Sequence, residues 1–235
     1  MPEFMVLIHE SETGGAALTP QETRALLERQ AAYEQRLRAS AAYVDGERFR
    51  PSAEGRRVTR GDGEPRVQAG PFGEPTLGGY YVLRAKGLDA ALELAAECPA
   101  SPGAEVEVRP VMKGEVEPDK TSDNGRLFAF AVLGAAPNER SWISVMDRID
   151  ERTHDGFPEE RFRGGVRLEA PSTGRRISTT GGRRSVFDGP FLESKEVIGG
   201  LFFLRLPSLD DALEWANESA FVEHGTLEIR ELWRS

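Results

Sequence analysis

The sequence predicts an α+β protein: two tandem ferredoxin-like units that together form an intrachain dimeric α+β barrel, a pseudo-dimer. Three observations carry this. The chain repeats itself. Gly46, Arg48, Gly55, Arg56, Arg57, Gly70, Pro71 and Phe72 recur 119 positions later as Gly165, Arg167, Gly174, Arg175, Arg176, Gly189, Pro190 and Phe191. From Gly78 on the offset is 121, with 13 identities in the 32 positions 78 to 109, too many for chance. Each copy also reads β-α-β-hairpin-β-α-β, the order of an antiparallel sheet with two helices on one face. Finally, the central strands are apolar at consecutive positions, Tyr80 to Leu83 and Leu201 to Leu204. A sheet apolar on both faces needs a cover on each, and the other copy is the obvious second cover. The copies span 5–111 and 126–235, with 112–125 as linker.

The elements follow from local pattern. Met5 to His9 is a short apolar, β-branched run before a Gly-rich loop, hence a strand. Thr19-Pro20-Gln21-Glu22 is a helix start, with Thr at the N-cap, Pro at N1 and Glu at N3. That helix runs to about Ala42 behind a stripe of Leu26, Tyr33 and Leu37. Val44 to Phe49 is a strand, and Arg57 to Val67 a hairpin turning at Gly61-Asp62-Gly63. Gly79 to Arg84 is the central strand, Leu88 to Ala96 a helix, and Glu105 to Arg109 an alternating, half-buried strand. Met112 to Gly125 is polar and breaks every period. The second copy repeats the order: strand Leu127 to Leu133, helix Pro137 to Arg152, a hairpin turning near Gly181, strand Gly200 to Leu206, helix Leu209 to Asn217 and strand Leu227 to Arg230.

Composition narrows function. The 235 residues carry a formal net charge of -9, which repels nucleic-acid phosphate; Arg175 to Arg184 is the local exception. No apolar run reaches the length of a membrane span and no signal peptide opens the chain, so a cytoplasmic protein is expected. Met1-Pro2-Glu3-Phe4 reads as a cloning remnant ahead of a native start at Met5. The single Cys98 excludes an intrachain disulfide and reads as a small buried hydrophobe. The three histidines lack metal-ligand spacing, so neither metal nor cofactor is expected.

Asp188-Gly189-Pro190-Phe191, then Glu193-Ser194-Lys195-Glu196, Gly199-Gly200 and the closing Glu228-Ile229-Arg230 resemble the DGPF branch of the YCII-related family. The resemblance covers nearly the whole chain twice. It implies the dimeric α+β barrel and a cytoplasmic bacterial protein. It also implies a His–Asp pair in some relatives, with the His on the first strand and the Asp in the motif, and association with alternative sigma factors in others. Copy one has His9 but Ala69 where the Asp belongs; copy two has Asp188, Glu193 and Lys195 but no His on its first strand.

Two functions follow. One is a binding or regulatory module that takes a small organic ligand, or a protein partner. It calls for an apolar pocket over the sheet or an apolar patch on the helices. The other is a lyase, isomerase or hydrolase in which His9 is the base and Asp188 its orienting partner, within hydrogen-bond reach. Each residue also has a plain structural reading: Asp188 closing a turn, His9 satisfied by a backbone carbonyl. Arg48, Arg167, Tyr80, Phe202, Glu193 and Lys195 are the candidate ligand contacts. A monomeric pseudo-dimer and a homodimer both fit.

Overall fold

The computed structural model describes residues 1–13, 18–60, 63–116, 125–134, 160–180, 183–189, 197–219 and 225–233. In chain order the elements are β1 (Glu3–Glu10), α1 (Pro20–Ala39), β2 (Tyr43–Arg48), β3 (Arg56–Thr59), β4 (Arg66–Ala69), β5 (Thr76–Arg84), α2 (Leu88–Ala96) and β6 (Glu105–Val116). Then come β7 (Arg126–Gly134), β8 (Phe162–Leu168), β9 (Arg175–Thr180), β10 (Arg183–Asp188), β11 (Val197–Leu206), α3 (Leu209–Glu218) and β12 (Thr226–Glu231). The expected helix at 137–152 and the centres of the linker and of the second hairpin turn lie outside the described residues. No described helix is long and apolar enough to cross a membrane.

The chain forms two compact units, and each draws on both sequence copies. Unit 1 holds Met1–Arg48, Gly73–Val111 and Ser172–Phe191; unit 2 holds Phe49–Phe72, Met112–Pro171 and Leu192–Ser235. In unit 1 the antiparallel order is β2-β5-β1-β6-β9-β10. In unit 2 it is β8-β11-β7-β12-β3-β4. The first four strands of each series have the ferredoxin-like order, and the described helices, α1 and α2 in unit 1 and α3 in unit 2, pack on one face, so the fold class is the expected α+β duplication of the dimeric α+β barrel type. The last two strands are a hairpin from the other copy. The spatial units therefore cross the sequence boundaries at 111 and 126.

Local chemistry accounts for the elements. Thr19 caps α1: its hydroxyl accepts from the Glu22 N–H at 3.3 Å, and the Glu22 carboxylate accepts from the Thr19 N–H at 2.8 Å. Leu26, Tyr33 and Leu37 are the buried stripe of α1. Tyr33 and Leu37 belong to a unit 1 core in which β1 contributes Phe4, Val6 and Ile8, β5 Tyr81 and Leu83, and β6 Val106 and Val108. Unit 2 repeats it with Phe128, Phe130, Val132, Leu204, Leu227 and Ile229. The repeated Gly46 and Gly165 share one cause. Each sits opposite the aromatic residue of its central strand, Tyr81 or Phe202. A Cβ would stand 2.3 Å from the Tyr81 ring at Gly46 and 2.7 Å from the Phe202 Cβ at Gly165.

Two expectations need correction. β6 runs on to Val116, through the start of the expected linker, because its outer edge continues to find strand partners. The supposed cloning remnant takes part in the fold: β1 begins at Glu3, and Phe4 is buried opposite Leu83 and Pro110.

Ile177 tests the exchange of hairpins. It belongs to the second copy yet is buried against Val106 and Val108 of the first. Ile177→Ala should cost about 2–5 kcal/mol of unit 1 stability. By hydrogen exchange, β6 amides should lose protection while those of β12 keep it. Loss confined to unit 2 would contradict the pairing.

Candidate functional site

The helix-free face of the unit 1 sheet carries a row of charged side chains. Alternation along β1 sends Phe4, Val6 and Ile8 under the helices and Met5, Leu7 and His9 to the opposite face. On β6, Val106 and Val108 lie under the helices, so Glu105, Glu107 and Arg109 share the face of His9. His9 Nε2 lies 3.5 Å from Glu107 Oε2, and Arg109 Nη1 lies 3.6 Å from Glu107 Oε1. From the exchanged hairpin, Arg176 stands opposite Glu107, with its Nη1 3.5 Å from Glu105 Oε2. Glu107 is 5% exposed and Arg109 0%.

Burial alone would raise the Glu107 pKa. The His9 contact and the charges of Arg109 and Arg176 outweigh it, and the carboxyl is held below its ordinary range. Glu107 is therefore ionised at neutral pH beside an imidazole. Such a pair can fix a tautomer and accept or return a proton.

Unit 2 repeats the array without the histidine. Arg57 donates to Glu228 through Nε and Nη2 at 3.0 and 2.8 Å, and buried Arg230 donates to the same carboxylate at 3.1 Å and to the Arg50 carbonyl at 2.9 Å. Glu228 and Arg230 are the repeat partners of Glu107 and Arg109, and Arg57 is that of Arg176. The position of His9, opposite Glu105, is taken in unit 2 by Leu133 opposite Thr226. Among the described residues, this array carries an imidazole in unit 1 and none in unit 2.

The expected His9–Asp188 pair does not form. Asp188 lies on β10 opposite Arg175, which lies opposite Val108, so Asp188 is on the helical side with β9 and β6 between it and β1. Its carboxylate meets Arg175 Nε at 2.8 Å and is 89% exposed. That ion pair closes the hairpin; at the matching place in copy one Arg56 faces Ala69. The carboxylate beside His9 is Glu107. Glu107 and Arg109 recur at an offset of 121 as charged residues of an alternating strand, and that recurrence was the available signal.

The other candidates scatter. Tyr80 is buried in unit 1, and its hydroxyl donates to Asp45 at 2.6 Å. Arg48 reaches Glu10 at 3.9 Å and donates to Gln30 of α1 at 3.4 Å, on the helical side. Arg167 is half-buried on β8 opposite Gly200. Phe202 is core: it stacks on Phe130 at 4.9 Å and meets Trp215 edge-on at 5.3 Å. Tyr80 and Arg48 are thus in unit 1, and Arg167 and Phe202 in unit 2. Glu193, Lys195, His154 and His224 lie outside the described residues.

A concave feature lies on the helical side of unit 1. A cavity of about 620 Å³ opens between α1 and the segment after α2. Its floor is Val106 and Ile177, and its walls include Leu26, Ala95, Cys98 and Pro102. Burial pushes the Cys98 thiol up to about 12, so it is unreactive at neutral pH. Behind it, Ser101 donates to Glu10 at 2.8 Å and Gln30 to the Pro99 carbonyl at 3.2 Å, tying the loop to β1 and α1.

Two carboxylates in unit 1 should respond to pH in opposite senses. Glu107 has a lowered folded pKa, so its contribution is present above the unfolded value near 4.5 and is lost as pH falls through the folded one. Glu107→Gln should cost about 3–5 kcal/mol at pH 7 and flatten the acid limb of a stability–pH curve from urea unfolding. Glu47, on β2, is pushed up to about 7 by burial and by Asp45 and Glu34. The stability tied to its neutral form is present below pH 4.5 and lost as pH rises through 7. Glu47→Gln should raise stability by about 1–3 kcal/mol at pH 8, after allowance for solvent screening, and change little at pH 4. A gain at pH 4 with none at pH 8 would reverse this assignment.

Comparison with known proteins bears on the family. A search of solved structures finds a putative chlorite dismutase at 12% identity, covering 99% of this chain and 94% of that one, with a TM-score of 0.39. A putative monooxygenase from Fusobacterium nucleatum subsp. nucleatum matches at 12% identity, with 98% and 91% covered and a TM-score of 0.43. A heme-binding protein from Thermus thermophilus matches at 8% identity, with 99% and 91% covered and a TM-score of 0.39. No curated protein sequence matches significantly. The YCII-related domain model matches twice, over residues 3–115 and 121–235. Two matches that together span nearly the whole chain place it in the YCII-related family, as a tandem duplication of that domain.

Proposed function

We propose that this protein binds a small organic molecule in the cavity between α1 and the α2–β6 segment of unit 1. The supporting observation is the cavity itself: about 620 Å³, floored by the sheet at Val106 and Ile177. Ligand sites for small molecules are concave, mostly apolar and roughly 300–1,000 Å³ in size. The binding reading of the sequence calls for a pocket of this kind over the sheet.

A thermal-shift screen of small metabolites tests this. A ligand at a hundred times its Kd adds about 2.7 kcal/mol, which moves Tm by several degrees. Ala32 is an exposed residue of α1 at the cavity, so Ala32→Trp should leave the fold intact and place an indole in the mouth. Every shift found with the wild type should then disappear. Shifts that persist in Ala32→Trp would refute the cavity as the site.

The 3.5 Å contact between His9 and an ionised, buried Glu107 favours a second reading, proton-transfer chemistry on a small substrate. In this reading Glu107 replaces Asp188 as the positioning carboxylate, and the reaction type is that of a lyase, isomerase or hydrolase. A ligand acting there shifts the His9 ring signals in NMR spectra and loses affinity in His9→Gln. A ligand confined to the cavity does neither, because His9 lies on the opposite face of the sheet.

A further inference from the structure

The charged groups around the cavity are unequally committed, and this selects the ligand. Four charged side chains line it: Glu22, Arg29, Arg36 and Glu97. Glu22 is engaged by Thr19, accepting from its backbone N–H at 2.8 Å and its hydroxyl at 2.7 Å. Those bonds hold the Glu22 carboxyl below its ordinary range. Arg36 and Glu97 are paired with each other, Nη2 to Oε2 at 3.4 Å. Arg29 meets no carboxylate among the described residues. The cavity therefore carries one uncommitted positive charge at its rim, on the α1 turn between Ala25 and Ala32, above apolar walls.

We propose that the ligand is an organic acid with a single carboxylate and an apolar body: the carboxylate on the Arg29 guanidinium, the body over Val106 and Ile177. This deepens the preceding proposal and rests on it. The chemistry fits on three counts. A guanidinium grips a carboxylate through two parallel N–H donors. Leu26, Ala95, Pro102, Val106 and Ile177 give an apolar body a surface to cover. A second acidic group would face Glu22 and Glu97, whose charges oppose it.

The test compares octanoate, 1-octanol and octylamine on the full chain. Affinity is read by calorimetry, and occupancy by protection of Cys98, the chain's one thiol and a cavity wall residue, from slow alkylation at pH 8.5. Octanoate should bind at least tenfold more tightly than the alcohol and the amine, and should protect Cys98. Arg29→Gln should erase that preference without weakening 1-octanol, Arg29→Lys should retain part of it, and Arg36→Gln should leave it in place. Equal binding of the three compounds, or a preference that survives Arg29→Gln, overturns the acid assignment while Ala32→Trp still blocks binding. If none of the three binds and another compound from the screen gives a shift that Ala32→Trp removes, the acid assignment fails and the cavity reading stands. Binding that Ala32→Trp leaves unchanged and that gives Cys98 no protection removes the cavity reading as well.

Discussion

Each six-stranded sheet is completed by a hairpin from the other half of the chain, and the remainder of the structure depends on that exchange. β6 and β12 close the ferredoxin-like order of their units. Without β9 and β3 their outer edges would present unpaired backbone groups beside buried Val106, Val108, Leu227 and Ile229. An exposed apolar edge strand is a pairing hazard. The hairpins cover it, and each brings an arginine, Arg176 or Arg57, to the Glu-x-Arg of the strand it covers. The ions also set the register. A slip of one residue would turn Arg176 to the helical face, among Ile8, Val106 and Val108. Ion pairs buried this deeply add little net stability, but leaving one member unpaired is expensive. They act here chiefly as a selector of one pairing over its neighbours.

The same reasoning marks where the sequence could be read and where it could not. Period and capping residues located β1, α1, α2, β11 and α3, because those signals are local: Thr19 and Glu22 close their box within one turn. The repeat revealed the duplication, because identities such as Gly46 and Gly165 answer one steric demand, room for the aromatic residue opposite. The hairpin exchange left no local trace. A hairpin reads the same whether it pairs with its own sheet or another. The alternation Glu105-Val106-Glu107-Val108-Arg109 shows which residues share a face, yet it does not show that the polar face is buried. Glu105 to Arg109 accordingly read only as a half-buried strand, and the carboxylate that meets His9 was sought in the motif, at Asp188. The motif aspartate instead holds Arg175 across a hairpin.

Duplication followed by divergence accounts for the asymmetry between the units. The scaffold residues persist in both: the glycine opposite the aromatic, the Glu-x-Arg, the arginine of the covering hairpin. Other positions have diverged. His9 corresponds to Leu133, Asp188 to Ala69, and Leu94 to Trp215. Trp215 fills its surroundings in unit 2, edge-on to Phe130 and Phe202 at 5.1 and 5.3 Å. Unit 1 has the smaller Leu94 there, partly buried against the core, with its carbonyl accepting from the Tyr33 hydroxyl at 3.0 Å.

The run that follows Leu94 is what turns this difference into a cavity. Ala95, Ala96, Cys98, Pro99, Ala100, Ser101, Pro102, Gly103 and Ala104 include no side chain larger than a proline ring apart from Glu97, which points to the exposed rim and pairs with Arg36. Interiors are filled to crystal-like density wherever the sequence supplies bulk. Here that run supplies none over Val106 and Ile177, while Tyr33 and the Gln30–Pro99 bond tie α1 to α2 and to the segment after it. A cavity open at one rim avoids the full penalty of an enclosed void, since its mouth remains hydrated, but its apolar floor still favours any solute that removes it from water. Selection on such a site acts through the few charged groups at the rim, and in this unit three of those four are already engaged by partners within the protein.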